Sequence, residues 1–145
     1  MRSMSLEDLE KRLESHIYGS QIMLALKGAI LRFRPLAVVL LGELTREGAG
    51  SMAEAEFLFI QDKGMCPSNV KKMMRRLDEF GVLALFFLEV TQFLKLVKEK
   101  DPLGTEVMEE GVVVYARDQG VWSYVEEMAS LAGHLDALKE RKGVH

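Results

Sequence analysis

The chain has 145 residues, of which 48% are hydrophobic and 28% charged, a balance that excludes a disordered or collagen-like chain. Its 19 lysines and arginines stand against 22 aspartates and glutamates, giving a formal net charge of -3. This acidity argues against nucleic acid as a partner, because proteins that bind nucleic acid usually carry a strongly basic face. A single cysteine, Cys66, excludes a disulfide within the chain and fits a reducing compartment.

Neither a signal peptide nor a membrane span is expected. The chain turns acidic at Glu7 and Asp8, where a signal peptide would carry an apolar stretch. The longest apolar runs, at 36–41 and 82–88, are far shorter than the roughly 20 residues that cross a bilayer. We therefore expect a cytoplasmic protein without a membrane partner.

The N-terminal part predicts a helical segment over about 5–34. Ser5 followed by Asp8 resembles a capping box that opens a helix. Apolar residues then continue at helical spacing, with a candidate interruption at Gly19. Pro35 ends this segment, since the residue before a proline is disfavoured in the helical conformation.

The remaining chain alternates between short apolar runs and helical patterns. Strands are predicted near 36–41, 54–60, 82–90 and 112–115. Helices are predicted at 69–80 and 91–100, as a short turn after Asp101, and at about 118–142. The loop after Gly42 is expected to contain one helical turn. This order of elements predicts an α/β or α+β fold, with one mixed sheet of about four strands flanked by helices, and a single domain over 1–145.

The segment between the first two predicted strands carries the chemistry. Glu54 and Glu56 are two residues apart at the entry of a strand, so both carboxylates are expected on one face. Such a pair can hold a hard divalent cation such as Mg²⁺. The preceding loop, which begins at Gly42 and contains further glycines, could offer backbone N–H groups to phosphates. Together these are parts of a metal-assisted nucleotidyl-transfer site.

This segment resembles the minimal nucleotidyltransferase family of the DNA polymerase β-type superfamily. That family has a strand ending in Gly-Ser, a glycine-rich loop, and then Ser-Asp-x-Asp followed by apolar residues. Gly42-Glu43 stands at Gly-Ser, and the stretch 53–56, Ala-Glu-Ala-Glu, stands at Ser-Asp-x-Asp without a gap. The stretch 110–115, Glu-Gly-Val-Val-Val-Tyr, is similar to the family's closing pattern, and the resemblance covers about 20–117.

The resemblance implies a site and a set of ligands. Glu54 and Glu56 would be the catalytic carboxylates and metal ligands, and Gly42, Glu43 and Arg46 would bind the nucleotide. The cofactor would be Mg²⁺, and the nucleotide ATP or another nucleoside triphosphate. Members of the family often occur beside a helical HEPN-type partner in toxin–antitoxin pairs, so a HEPN-like protein is an expected partner. A helix-mediated homodimer is a further expectation from this resemblance.

The departures from the family pattern are concentrated in the site. The family's serine is Glu43 here, and both aspartates are glutamates, which moves each ligand by about one methylene. A third carboxylate is expected near the middle of 82–87, where this chain has no acid, and Glu89 lies too far along the strand to replace it. The loss weakens any two-metal arrangement. The sequence therefore predicts a degenerate site.

Three functions remain open at this point. The first is a weakly active or non-catalytic relative that acts by binding a partner, in an antitoxin-like way, or by binding a nucleotide. The second is an active Mg²⁺-dependent nucleotidyltransferase that transfers NMP from an NTP to an unknown acceptor through Glu54 and Glu56. The third is a structural subunit in which the fold is only a scaffold. On spacing alone, Glu54 and Glu56 could also be solvated acids, and Glu43 and Arg46 ordinary loop residues.

Other polar residues suggest less specific roles. A basic stripe after Pro67 is interpreted as an exposed helix face rather than a nucleotide contact, and Cys66 as a passive thiol. The stripe consists of Lys71, Lys72, Arg75 and Arg76. The three histidines form no ligand set. Apolar residues of the last helix share one face, which could pack on the sheet or on a partner: Trp122, Tyr124, Met128, Leu131 and Leu135.

Overall fold

A computed structural model describes residues 1–62, 64 and 81–143, with side chains described as far as residue 134. The predicted helix at 69–80, its basic stripe and Cys66 lie outside these residues. The described elements in chain order are β1 (Arg2–Ser3), α1 (Leu6–Arg12), α2 (Gly19–Phe33), β2 (Ala37–Leu41), β3 (Ala55–Gln61), β4 (Leu83–Glu89), α3 (Val90–Lys98), α4 (Pro102–Glu110), β5 (Val112–Ala116) and α5 (Gln119–Gly143). Short 3₁₀ turns occur at Leu13–Ser15 and Glu43–Thr45.

The fold is α+β, with one mixed sheet of five strands in the order β1-β5-β2-β3-β4. The central strand β2 is antiparallel to both β3 and β5, whereas β3 and β4 are parallel, as are β1 and β5. The end of β2 therefore lies beside the beginnings of β3, β4 and β5. The loops that enter and leave these strands meet at this one edge of the sheet.

Helices cover both faces of the sheet. One core layer lies between the sheet and helices α1 and α2, and includes Leu26, Phe57 and Phe59. The other lies between the sheet and helices α3 to α5, and includes Phe93 and Trp122. Because β2 is buried on both faces, its sequence is apolar throughout, as is typical of a strand covered on both sides.

The N-terminal helical segment begins and breaks where the sequence predicts. The Ser5 hydroxyl accepts a hydrogen bond from the backbone N–H of Asp8 at 3.0 Å, which caps α1. The segment leaves helical geometry at His16 and resumes at Gly19, whose missing side chain allows the close approach of the Leu13 carbonyl. At Arg34 the chain enters the left-handed region with φ 44°, and Pro35 follows.

Two elements differ from the prediction. The sheet has a fifth strand, β1, whose two exposed residues pair with Val112 and Val113. Helix α4 is nine residues long rather than a single turn, and the Asp101 carboxylate caps it by accepting from the Leu103 N–H at 3.0 Å. In the described ranges no helix is long and apolar enough to cross a membrane.

Candidate functional site

Glu56 lies one residue into β3, at the edge of the sheet where β2 ends. It is paired with Leu41 of β2 on one side and with Ala84 of β4 on the other. Alternation along the strand places Glu56 on the same face as Leu58 and Ile60, the face covered by α3, α4 and α5. Its side chain is half-buried, since it stands at the rim of that core layer.

Gly42, directly after β2, is in contact with the side chain of Glu56. The backbone of Gly42 has φ 77°, a conformation that favours glycine. A Cβ atom at position 42 would overlap the Glu56 carboxylate and lie 3.2 Å from its Cδ. The backbone conformation therefore favours glycine here, and an added Cβ would displace the end of the flexible Glu56 side chain.

The loop after Gly42 is held by hydrogen bonds to its own backbone. The buried Thr45 hydroxyl donates to the Gly42 carbonyl at 2.6 Å, within the predicted helical turn. The guanidinium of Arg12, from α1, donates to the Leu44 carbonyl at 3.0 Å. The two other residues assigned to nucleotide binding, Glu43 and Arg46, have exposed side chains. The loop is thus fixed, while its charged side chains extend into solvent.

The entry to β3 is anchored by a buried histidine that the sequence did not single out. His16 is 7% exposed, and its Nδ1 accepts a hydrogen bond from the backbone N–H of Tyr18 at 2.9 Å. The other ring nitrogen, Nε2, is therefore the protonated one and donates to the Ala53 carbonyl at 2.8 Å. The Ile17 N–H also donates to the Ser51 carbonyl at 2.9 Å. These bonds position the backbone immediately before the exposed Glu54.

Glu54 and Glu56 lie close enough to interact electrostatically. The pKa of Glu56 is raised above its ordinary value, first by burial of its carboxyl, then by the negative charge of Glu54, and then by that of Glu106. Glu106 projects from α4, which packs over this face of the sheet. Glu56 is thus influenced by the charge of Glu54, two residues earlier in the chain, and by that of Glu106 on a helix.

Ala84 lies near the middle of 82–87, where the resemblance implies a third carboxylate. It pairs directly with Glu56, and Phe86 follows on the same face. Glu89 pairs with Gln61 at the opposite end of the strands. It forms a capping box with Gln92 at the start of α3, in which the Glu89 N–H donates to Gln92 Oε1 at 2.9 Å. Glu89 therefore has a structural role and does not reach the site.

The carboxylates do not form a multidentate metal centre. Within residues 1–62, 64 and 81–143, no group of three or more histidine, cysteine, aspartate or glutamate side chains is arranged to hold a metal ion. Glu106 influences Glu56 through its charge without completing such a group.

The sequence gives no signal for three residues that shape this edge. Arg12, His16 and Glu106 come from α1, the turn after it and α4 respectively, and each is distant in sequence from the 42–56 segment. Only the helical segments that contain these residues could be predicted.

Comparisons with protein families, with curated proteins and with solved structures return no match for this chain.

Proposed function

We propose that this protein is a nucleotidyltransferase-like protein of the minimal type whose active site is degenerate. We propose further that it acts by binding a protein partner, in the manner of an antitoxin, rather than by transferring nucleotides. The observation that carries the proposal is the pairing of Glu56 with Ala84. An aspartate or glutamate at position 84 would complete a three-carboxylate cluster on this face, and alanine supplies no ligand.

The contact between Glu56 and Gly42 supports the same conclusion. The resemblance to the minimal nucleotidyltransferases implies that the phosphates of a nucleotide would bind at the loop that begins at Gly42. The Glu56 carboxylate instead covers the backbone of Gly42, with the charge of Glu54 close by. A triphosphate that approached this backbone would meet carboxylates of the same, negative charge. The repulsion between two unit charges about 4 Å apart is roughly 4 kcal/mol at an effective dielectric of about 20.

The expected partner is a helical protein of the HEPN type, and this expectation comes from the resemblance over about 20–117. Such a partner would explain why the fold is kept while the transfer chemistry is not. Binding of a nucleotide without transfer is the other form that a non-catalytic function could take.

An assay of label transfer tests the loss of catalysis. The purified protein is incubated with Mg²⁺ and each of the four NTPs labelled at the α-phosphate, with total cell protein and RNA as acceptors. The proposal predicts no labelled product above that of the Glu54→Ala/Glu56→Ala double variant. Label that appears with the wild-type chain and disappears with the double variant would overturn it. The variant Glu7→Ala, which removes an exposed carboxylate of α1, controls for a general effect of charge removal.

The alternative is an active Mg²⁺-dependent nucleotidyltransferase that transfers NMP from an NTP. It is favoured by one observation, the charge of Glu54 close to Glu56, which adds to the effect of burial in raising the pKa of Glu56. Two close carboxylates can bind a single divalent cation when phosphate oxygens supply further ligands. In the same assay this alternative predicts labelled product that requires both glutamates.

A further inference from the structure

The outer face of helix α2 carries two leucines that the described part of the chain does not cover. Leu24 and Leu31 are 76% and 78% exposed, the highest values among the large apolar side chains that the structure describes. They are seven residues apart, about two helical turns, so both lie on the same side of the helix. The opposite side of α2 packs on the sheet through its buried residues: Ile22, Met23, Leu26, Ala29, Ile30 and Phe33.

Gly28 lies between the two leucines, and no contact within the described residues requires a glycine there. A Cβ atom at position 28 would have no atom within 4 Å, and the residue lies inside a regular helix. A glycine inside a helix is destabilising relative to alanine, so the fold gains nothing from it. The missing side chain instead leaves open space between Leu24 and Leu31.

The surface over Gly28 forms a hole of the kind that receives a side chain from a facing helix. In knobs-into-holes packing, such a hole is formed by the residues at positions i, i+3, i+4 and i+7 of one helix. On α2 these positions are Leu24, Lys27, Gly28 and Leu31. Because Gly28 contributes no side chain, the hole is deep and fits a large apolar or aromatic side chain, the type that dominates the energy of protein interfaces.

Helix α5 has a similar exposed row without such a hole. Trp122 faces the core and is buried, whereas Tyr124 and Leu131 are 63% and 59% exposed and also lie seven residues apart. The position between them that corresponds to Gly28 is occupied by Met128, whose side chain is 37% exposed. The α5 row therefore matches the two leucines of α2 in spacing and exposure, but it lacks the open space.

Basic side chains flank the hole on both sides. The stretch 17–41 contains no acid, although the chain as a whole has a net charge of -3. At about 100° per residue, Lys27 lies about 60° to one side of Leu24 and Arg32 about 80° to the other. Lys27 pairs with Glu10 at 3.9 Å, and both side chains are about half exposed. Such a surface pair contributes little to stability, so Lys27 can bind a carboxylate of another molecule instead.

We propose that this face of α2 binds an acidic amphipathic helix of a partner protein, which inserts one large apolar side chain over Gly28. Carboxylates of that helix, about one turn from the inserted side chain, pair with Lys27 and Arg32, in the way that charges flank other helix–helix contacts. The residues of this α2 face are Leu24, Lys27, Gly28, Leu31 and Arg32.

The inference rests on the proposed function, because it names a surface for the binding of a partner. The α2 face lies on the side of the sheet opposite to the Glu56 side chain, so a bound helix leaves the candidate site untouched. A single helix covers less than the about 800 Å² per partner that is standard for stable complexes. We therefore expect a dissociation constant in the micromolar range for this contact alone.

A display selection with the full chain as target tests the proposal. The library presents single helices that are randomised on one face. We expect the enriched helices to carry a large apolar residue with aspartate or glutamate about three or four positions away. The tightest of them is then made as a fluorescent peptide, and its binding is measured by fluorescence anisotropy up to about 1 mM protein, well above a micromolar dissociation constant.

Four variants locate the contact. Gly28→Leu fills the hole and should weaken binding about tenfold or more, and it should remain folded because leucine is a better helix former than glycine. Leu24→Glu/Leu31→Glu should abolish binding, whereas the matched variant Tyr124→Glu/Leu131→Glu on α5 should bind like the wild type. Lys27→Glu/Arg32→Glu should lose the acidic peptide and bind the same peptide with its acids replaced by lysine.

Two results of the peptide experiments overturn the proposal. One is a selection that enriches no helix, and the other is a peptide that binds Gly28→Leu as tightly as the wild type. Binding that is lost in Tyr124→Glu/Leu131→Glu but kept in Leu24→Glu/Leu31→Glu also contradicts it, and assigns the contact to α5.

A lipid surface is tested with vesicles of phosphatidylcholine and phosphatidylserine in equal amounts. Wild-type binding that Leu24→Glu/Leu31→Glu abolishes would assign the α2 face to a membrane surface and overturn the proposal. The label-transfer assay reports on Glu54 and Glu56 rather than on α2. Labelled product there would refute the proposed function and leave the peptide result in place, so the two failures are distinguishable.

Discussion

The Glu56 carboxylate lies against the backbone of Gly42, which directly follows Leu41, the β2 partner of Glu56. This contact joins the two halves of the candidate site, the loop after β2 and the acidic entry of β3. Position 42 has φ 77°, which favours glycine, and an added Cβ would displace the Glu56 carboxylate. The two effects can be separated by mutation.

We expect Gly42→Ala to lower the free energy of unfolding by about 1–3 kcal/mol, through the cost of a positive φ and the overlap with Glu56. In a Glu56→Ala background the overlap is gone and only the backbone term remains. The same glycine substitution should then cost less, with a coupling of about 1 kcal/mol between the two sites. Urea unfolding followed by the fluorescence of Trp122, the single tryptophan, measures all four proteins. Additive effects would contradict the contact.

The raised pKa of Glu56 predicts that the substitution Glu56→Gln stabilises the folded protein, by an amount that depends on pH. Because the folded state holds the proton more tightly than the unfolded chain, the stability associated with this group is present below the ordinary glutamate pKa, about 4.3. That stability is lost as the pH rises through the raised value in the folded state. Glu56→Gln should therefore have a higher Tm than the wild type at pH 7, and the difference should disappear below about pH 4.

The matched control is Glu7→Gln, which neutralises an exposed acid in the first turn of α1. An acid at this position is favourable to the helix, so its removal should not raise the Tm at pH 7. A Glu56→Gln protein that is no more stable than the wild type at pH 7 would contradict the electrostatic description of the site.

His16 provides a third prediction. Its Nε2 donates to the Ala53 carbonyl in a buried hydrogen bond, and its Nδ1 accepts from the Tyr18 N–H. We expect His16→Ala to cost about 1–3 kcal/mol, because removal of the ring takes the donor from the buried Ala53 carbonyl. His134→Ala, at an exposed position of α5, should change the stability by less than about 0.5 kcal/mol. Equal effects of the two substitutions in urea unfolding would contradict the anchoring role of His16.

Helix α4 brings Glu106 to the site, and its position depends on Gly104. A Cβ at residue 104 would lie 2.8 Å from backbone atoms of Leu96 and Val97 in α3, so the two helices would have to separate. We expect Gly104→Ala to destabilise the protein by about 1–3 kcal/mol. Gly28→Ala, on an exposed part of α2 with no atom within 4 Å of the added carbon, should instead stabilise it by about 0.5–1 kcal/mol. Thermal unfolding measures both, and a shift of the same sign in the two variants would contradict the close α3–α4 packing.

Most of the fold could be predicted from the sequence, because strands β2, β3 and β4 have largely apolar sequences on both faces. Strands β2, β3 and β4 and the described helices that pack on them lie within a few residues of their predicted positions. Strand β1 could not be predicted, since two exposed residues, Arg2 and Ser3, carry no periodic pattern. Helix α4 is longer than the predicted turn, and Gly104 within it allows the helix to pack closely on α3, which is a tertiary contact without a local sequence signal.

The candidate site was predictable only in part. The period of two along a strand predicts that Glu54 lies near Glu56, and the charge of Glu54 contributes to the raised pKa of Glu56. The approach of Glu106 depends on how α4 docks, which is a tertiary property with no local signal. The contact of the Glu56 side chain with Gly42 also has no local signal, because the rotamer of a half-buried glutamate is set by its surroundings.

Calorimetric titration with Mg²⁺-ATP and Mg²⁺-GTP, compared between the wild type, Glu54→Ala and Glu56→Ala, tests most directly the proposal that the chain carries a degenerate nucleotidyl-transfer site. With Ala84 beside Glu56 and the Glu56 carboxylate over Gly42, we predict no binding that depends on either glutamate up to millimolar nucleotide. Micromolar binding that is present in the wild type and abolished in both variants would contradict the account.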